Sequence, residues 1–358
     1  MPQGPDGDNS QDVSPDEVYE LQDEEQKMRE NVVKSALSRG VLGVVFSPIQ
    51  YAKVLVQLGH EPLPLTQGRN FVLFGRQTYF QANFLKIAGY IWTRNGFFGM
   101  FRGGTAAFFS SVCGGVSSGM FEMYLDKSWP SIGGAPVNLG LDEFELSDGQ
   151  SLSRALRFTI RKSAAQTLAV VVARPFQVVM IRQMAQFIGG EEIYGGLSSS
   201  LRLVITEEGV SGLFKGVVPD LIASLCLLWG VNGTIFLVQR AFVNSMRADD
   251  EDSLSEEEKS GRSSLLNQFG GAMRVLLSMM GTSLLYPFTL VSTVYAVNGT
   301  GLKAGSLPST PIFADWQACY RHLASKGQLK RGAKAMLRRY QGPTTFGMGG
   351  ERLVDIPL

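Results

Sequence analysis

The sequence predicts an all-α membrane protein built from three related repeats, and three observations carry that prediction. Charged residues make up only 18% of the 358 residues, against about a quarter in soluble chains. Three runs carry no charge at all, Gly103 to Phe121, Leu221 to Gln239 and Val275 to Leu302. Each is close to, or beyond, the roughly 20 residues that cross a bilayer as a helix. Lastly, a proline with similar neighbours recurs three times, at Pro48, Pro175 and Pro287.

Composition also excludes several classes. A net charge of +1 gives no basic surface for nucleic acid. Cys113, Cys226 and Cys319 are scattered without CxxC spacing, so neither a disulfide framework nor a cysteine zinc site is expected. The only two histidines, His60 and His322, leave little for metal binding or imidazole catalysis. No metal, no cofactor and no enzymatic activity are expected.

Taken in order, residues 1–30 are acidic and hold Pro2, Pro5 and Pro15, which predicts a disordered tail. That tail resembles neither a basic amphipathic presequence nor a signal peptide. The first repeat spans 31–125. Its first helix, Asn31 to Leu58, is apolar but carries Lys34, Arg39 and Lys53. A polar acidic loop follows over 126–153. The second repeat, 154–243, opens with Arg154 to Phe187, which carries Arg154, Arg157, Arg161, Lys162, Arg174 and Arg182. A second acidic loop covers 244–264, and 265–332 forms a partial third repeat.

Between the spans, apolar residues recur three or four apart: Phe80, Phe84, Ile87 and Ile91, then Leu197, Leu201 and Val204, then Phe313, Trp316, Tyr320 and Leu323. These predict helices lying along the membrane surface opposite the acidic loops. The last stretch, 333–358, is polar and basic with no apolar run, so a sixth span is expected to be missing. Arg321 to Arg339 is strongly basic, either as a solvated face or as a contact for anionic headgroups.

The repeated strings are Ser47-Pro48-Ile49-Gln50, Arg174-Pro175-Phe176-Gln177 and Tyr286-Pro287-Phe288-Thr289. The first two are followed by Gly96 to Gly103 and Gly209 to Gly216, which share a glycine-aromatic-basic-glycine pattern, and the third by the decayed Lys326 to Gly332. This arrangement resembles the mitochondrial carrier family over about residues 31 to 332. The family's transporters carry an acid and a base after each kink proline, pairing as an ionic gate. Here those six positions are Gln50, Lys53, Gln177, Met180, Thr289 and Ser292. Only Lys53 is charged, so a charged ring of that kind cannot form.

These departures, with Gln57 to Pro64, Gln186 to Gly189 and Ala296 to Asn298, are similar to the mitochondrial carrier homologues of the outer mitochondrial membrane. The resemblance implies an insertase for tail-anchored and other α-helical membrane proteins, with links to apoptosis and lipid metabolism, and leaves room for lipid scrambling beside insertion. It implies partners that are the apolar helices of client proteins and membrane lipids. A solute carrier with an atypical gate and a membrane receptor or scaffold are the alternatives.

An insertase needs no covalent chemistry, only polar company for a flank that would otherwise cross hydrocarbon unassisted, at about 2.5–3.5 kcal/mol per central charge. The expected groove is lined by Arg174, Lys53, Asp220, Asn232, Arg274 and Arg161. Arg174 either contacts clients or satisfies carbonyls freed by Pro175. Arg154, Arg157 and Arg161 favour snorkelling to the headgroups, and Asp220 favours a helix-start role. The string Gly115-Val116-Ser117-Ser118-Gly119 fits a nucleophile elbow by letters alone. Within an uncharged span it is expected to be a small-residue packing surface.

Overall fold

A computed structural model describes residues 15–69, 77–133, 146–247, 256–306 and 310–340, with 342, 344–346 and 352–354 beyond them. Helices α1 (Pro15–Val45) and α2 (Ser47–Gln57) form the first odd arm, α3 (Phe84–Gly99) a surface helix, and α4 (Gly104–Ser128) the return. The second repeat supplies α5 (Asp148–Ala185), α6 (Leu197–Glu208) and α7 (Val217–Arg247), and the third supplies α8 (Glu256–Ala296) and α9 (Trp316–Ser325). Five short strands accompany them: β1 (Thr66–Arg69), β2 (Gln77–Gln81), β3 (Arg338–Tyr340), β4 (Thr344–Phe346) and β5 (Arg352–Val354).

The prolines act differently at equivalent positions. Pro48 falls in the first turn of α2, where its missing N–H costs nothing, and α1 and α2 meet there at 64°. Pro175 and Pro287 instead sit inside continuous helices. The three surface helices form near the predicted positions, but Phe80 falls in β2 rather than α3 and Phe313 precedes α9. Asn83 caps α3 through the Lys86 amide and Asp315 caps α9 through Ala318.

Four expectations need correction. Residues 15–30 are helical rather than disordered: Pro15 starts the helix, and i,i+4 ion pairs Lys27–Asp23, Arg29–Glu25 and Lys34–Glu30 run along it. Residues 1–14 lie outside the described set. The acidic loops are shorter than expected, because α4 reaches Ser128, α5 begins at Asp148 and α8 already at Glu256. Ser147 and Gln150 form a capping box that starts α5 early. Much of the remaining loops, 134–145 and 248–255, is outside the described residues.

The third correction concerns span count. By length and composition, the helices over Asp148–Ala185, Val210–Ser245 and Gln268–Ala296 can cross a membrane, with the bent pair Gln22–Val45 and Ser47–Gln57 as a fourth. Helix α4 is uncharged over 103–121 but so rich in glycine and serine that it falls short of the same apolarity. It is nevertheless the fifth helix of the bundle, packed between α1 and α5. Side chains added at Gly40, Gly115 and Gly119 would collide with or crowd the α1–α4 contact, and Gly114 meets Ala173 of α5. The Gly115–Gly119 string is thus a packing surface, and Ser117 donates to the Gly114 carbonyl within the helix.

Lastly, the basic tail is not wholly solvated, while the short strands leave the all-α character of the fold intact. No sixth helix follows α9 among the described residues. The chain turns at Gly332 and β3 pairs antiparallel with β2, Phe80 opposite Arg339. Arg338 is 5% exposed, forms an ion pair with Glu61 and donates to the Ala82 carbonyl at 2.8 Å.

The core lies at the surface-helix end. Tyr51, Leu55, Val178, Met184, Leu290 and Val294 of the odd arms pack with Ile87 and Ile91 of α3, Val204 of α6 and Leu323 of α9. Neighbours follow the order α1, α4, α5, α7, α8, and the substantial contact of α8 with the first repeat is through α2, not α1. The bundle is therefore closed at one end and open along one side at the other.

Three glycines hold the closed end together. Gly103, Gly216 and Gly332 have φ of 84°, 76° and 77°. Their Cα atoms press on the odd arm of the next repeat: a Cβ would lie 3.2 Å from the Met180 carbonyl, 2.6 Å from the Ser292 carbonyl, and 3.2 Å from Val56 Cγ1, respectively. The decayed third signature thus keeps its structural position. Gly216→Ala is expected to lower stability by about 1–3 kcal/mol more than Gly327→Ala. Gly327 also has positive φ (65°) but nothing within 4 Å, so detergent thermal denaturation of the two variants separates close approach from backbone strain.

Breaking the tail staple is the second test. Arg338→Ala would strand buried Glu61, at a cost of about 3–5 kcal/mol. Protease cleavage within 335–340 should become much faster in that variant.

Candidate functional site

All six gate-equivalent positions, Gln50, Lys53, Gln177, Met180, Thr289 and Ser292, line one half-open cavity of about 280 Å³ at the level of the kinks. Arg174 and Asp220 line it too. The threefold reading of the sequence therefore places these positions in one site. Lys53 lies over the Tyr286 ring at 5.7 Å, a cation–π contact in place of an ion pair. Arg174 sits about 16 Å from the end of α5 at 1.5 Å per residue, roughly half a hydrocarbon thickness.

Arg174 is 2% exposed. Its Nε donates to the Lys215 carbonyl at 3.0 Å and its Nη2 to the Ser292 carbonyl at 3.2 Å. Asp220, in the first turn of α7, pairs with it at 3.5 Å. The arginine thus satisfies carbonyls, but those of the second signature and of α8 rather than any freed by Pro175. Its main work is to join the second and third repeats. Asp220 combines both readings of the sequence: it starts a helix and it faces the cavity.

Asn232, Arg274 and Arg161 do not join that cavity. They line a larger one of about 450 Å³ between α5, α7 and α8, together with Arg154, Arg157, Thr159 and Phe236. The single expected groove is therefore two polar chambers along α5. The spacing of α5 explains it, since Thr159 lies about 22 Å along the helix from Arg174. Arg274 donates to Asn232 at 2.9 Å, and Asn232 donates to Thr159 at 3.3 Å, linking all three helices. Arg157 and Arg161 do not simply snorkel. Arg157 donates to the Pro130 carbonyl, while Arg161 donates to the Trp129 carbonyl at 3.2 Å and pairs with Asp126, so they finish the end of α4.

Sequence reasoning missed a buried network below the kinks. Arg182 is fully buried and makes a two-pronged pair with Glu208, 2.7 and 2.9 Å, while also donating to the Ala296 carbonyl. Lys215 pairs with the same carboxylate at 2.8 Å and donates to the Asn298 carbonyl. Arg331 closes the circle by donating to the Gln57 carbonyl at 3.0 Å. An arginine in an apolar run seven residues after Pro175 was the one available signal.

Helices packed in threefold order about a kink-level cavity define a membrane protein of carrier type. The family model described as "Mitochondrial carrier protein" matches residues 162–234. Mitochondrial carrier homolog 2 of Mus musculus is 34% identical over 305 residues, covering 85% of this chain and 93% of the relative. The Homo sapiens homolog 2 is 33% identical with the same coverage. Mitochondrial carrier homolog 1 of Mus musculus is 31% identical over 324 residues, covering 87% and 78%. The chain belongs to the mitochondrial carrier homologues, a branch of the mitochondrial carrier family.

Acid should loosen the Arg182–Glu208–Lys215 network. Burial alone would raise the Glu208 carboxyl, but hydrogen bonds from Arg182 and Lys215 outweigh it and hold it below its ordinary 4.5. A depressed carboxyl stabilises fully above the unfolded value and loses that contribution as pH falls through the folded one. Thermal midpoints should therefore drop more steeply below about pH 4.5 in the native protein than in Glu208→Gln.

Proposed function

We propose that this protein is an insertase of the outer mitochondrial membrane, which passes the polar flanks of tail-anchored and other α-helical proteins along its open side. The observation that carries this reading is the pairing of polar chambers at membrane depth with a side where no sixth helix stands among the described residues. Between α1 and α8 the bundle lacks the packing it has elsewhere, and the chambers behind hold Lys53, Asp220, Asn232 and Arg274. A client flank gains hydrogen-bond partners there while its apolar segment slides into lipid, offsetting the cost of a central charge. The mitochondrial assignment rests on the family to which the chain belongs.

The exposed lips fit that task. Leu37, Val41, Leu42 and Val45 of α1 and Val275, Met279, Met280 and Leu284 of α8 are all exposed, giving an apolar margin for an apolar helix. Methionine suits varied clients because it is unbranched and polarizable. A solute carrier is the second reading, favoured by the convergence of all six gate positions on one cavity. It requires ion pairs that open and close, and Lys53 is the one charge among the six.

Arg174→Glu is a poor probe, because it would strand two carbonyls and break the joint between repeats. Arg274 is exposed and its partner Asn232 is neutral. Arg274→Glu in liposomes is expected to change insertion of a tail-anchored substrate severalfold with an unchanged thermal midpoint. Lys53→Gln should do the same, and photocrosslinkers at either position should capture the client helix. Unchanged insertion in both stable variants, or saturable metabolite exchange instead, would overturn the proposal.

A further inference from the structure

The kink-level cavity holds one charge more than it balances. Arg174 and Asp220, which both line it, pair with each other at 3.5 Å, and every other lining side chain except Lys53 is neutral. Lys53 makes neither an ion pair nor a hydrogen bond among the described residues; its one partner there is the Tyr286 ring. A single uncompensated cation is left. Because Lys53 belongs to α2 and Tyr286 to α8, that charge lies across the seam between the first and third repeats.

Two amides stand beside it with donors to spare. The Gln50 side chain makes no hydrogen bond among the described residues, and Gln177 gives its carbonyl oxygen to Arg174 at 3.4 Å, which leaves its N–H groups unused. An ammonium and two amides call for an acceptor that carries negative charge. Size narrows the choice. A helix is roughly 10–12 Å across with its side chains, so about 280 Å³ takes the end of a chain and not its span. The C-terminal end of a helix answers on three counts: its last carbonyls lack partners, its dipole is negative there, and a chain that stops there adds an α-carboxylate. An N-terminal end has the opposite sign and is repelled. Access is from the open side, since Gly43 of α1 and Thr289 of α8 line the cavity, one residue from exposed Leu42 and five from exposed Leu284 on the two lips.

We infer that Lys53, with Gln50 and Gln177, receives the C-terminal carboxylate of a client helix during its passage, an inference that rests on the insertase reading and names the group this cavity recognises. Unassisted, that carboxylate crosses hydrocarbon as an isolated charge. Here it meets a cation part-way. Capture of a terminal carboxylate by a small set of convergent donors is an established mode of peptide recognition, and the sign of the site makes it selective for one end of the client over the other. Neutralising either partner, the client's terminus or residue 53, removes the attraction.

The test uses two synthetic tail-anchored peptides that differ only at the C-terminus, one a free carboxylate and the other an amide, inserted into liposomes with and without the full chain. Without protein the amide should insert faster, because it has no charge to desolvate. With the native protein the order is expected to reverse, the carboxylate running at least fivefold ahead. Lys53→Arg, which keeps the charge, should keep the reversal, and Lys53→Gln should lose it while still inserting the amide, with thermal midpoints followed for both. Faster or equal insertion of the amide by an active native protein, or a reversal that survives in folded Lys53→Gln, would overturn the carboxylate assignment and leave the insertase reading standing. Insertion of neither peptide above the protein-free level would overturn both.

Discussion

The close seating of three glycines on three neighbouring helices is the constraint on which the rest depends. At Gly103, Gly216 and Gly332 the backbone takes positive φ and comes within contact distance of the next odd arm. Only glycine allows both at once. These seats bring the lower halves of α2, α5 and α8 together, and the large core forms around them. Arg174 and Arg182 then tie the seam between the second and third repeats, and Arg331 that between the third and first, with hydrogen bonds to carbonyls of the neighbouring repeat. Buried guanidinium groups are tolerated because nearly every donor has an acceptor.

Above the kinks the same logic is absent. Helices α7 and α8 bury only 22% of their apolar windows, against 44% for α5, so the upper half is held by helix pairs rather than by a ring. Polar links such as Arg274–Asn232–Thr159 join neighbours without closing the circle. One half of the molecule is thus a rigid base, while the other presents chambers and apolar lips to its surroundings. Rigidity below and access above follow from a single topological fact: among the described residues no helix lies between α8 and α1.

Much of this was legible in the residues. The recurring prolines located the break between α1 and α2 and its equivalent positions in α5 and α8, and the six gate-equivalent positions converged on one cavity because the repeat recurs after 127 and 112 residues. The uncharged runs late in the first two repeats and early in the third gave the spans, except that α4 is apolar by lack of charge rather than by bulk. What sequence periodicity could not show was partnership across repeats. Arg182 and Glu208 are far from obvious as a pair when α5 and α6 are read separately, and Arg161 reads as a snorkelling residue until the end of α4 comes beside it. The helix over 15–30 was hidden by its acidity, which composition assigns to disorder but which ion pairs one turn apart make compatible with a helix.

The tail beyond α9 also sets a timetable. Arg338 meets Glu61 across 277 positions of chain, and Arg331 meets Gln57 across 274. Contacts so distant in sequence form late, after loop-closure entropy has been offset by local structure. The first repeat's turn and hairpin must therefore wait for these partners until synthesis has passed Arg338. Ring closure is a final act of biogenesis, and until then the three repeats are free to be delivered to the bilayer as an unsealed array.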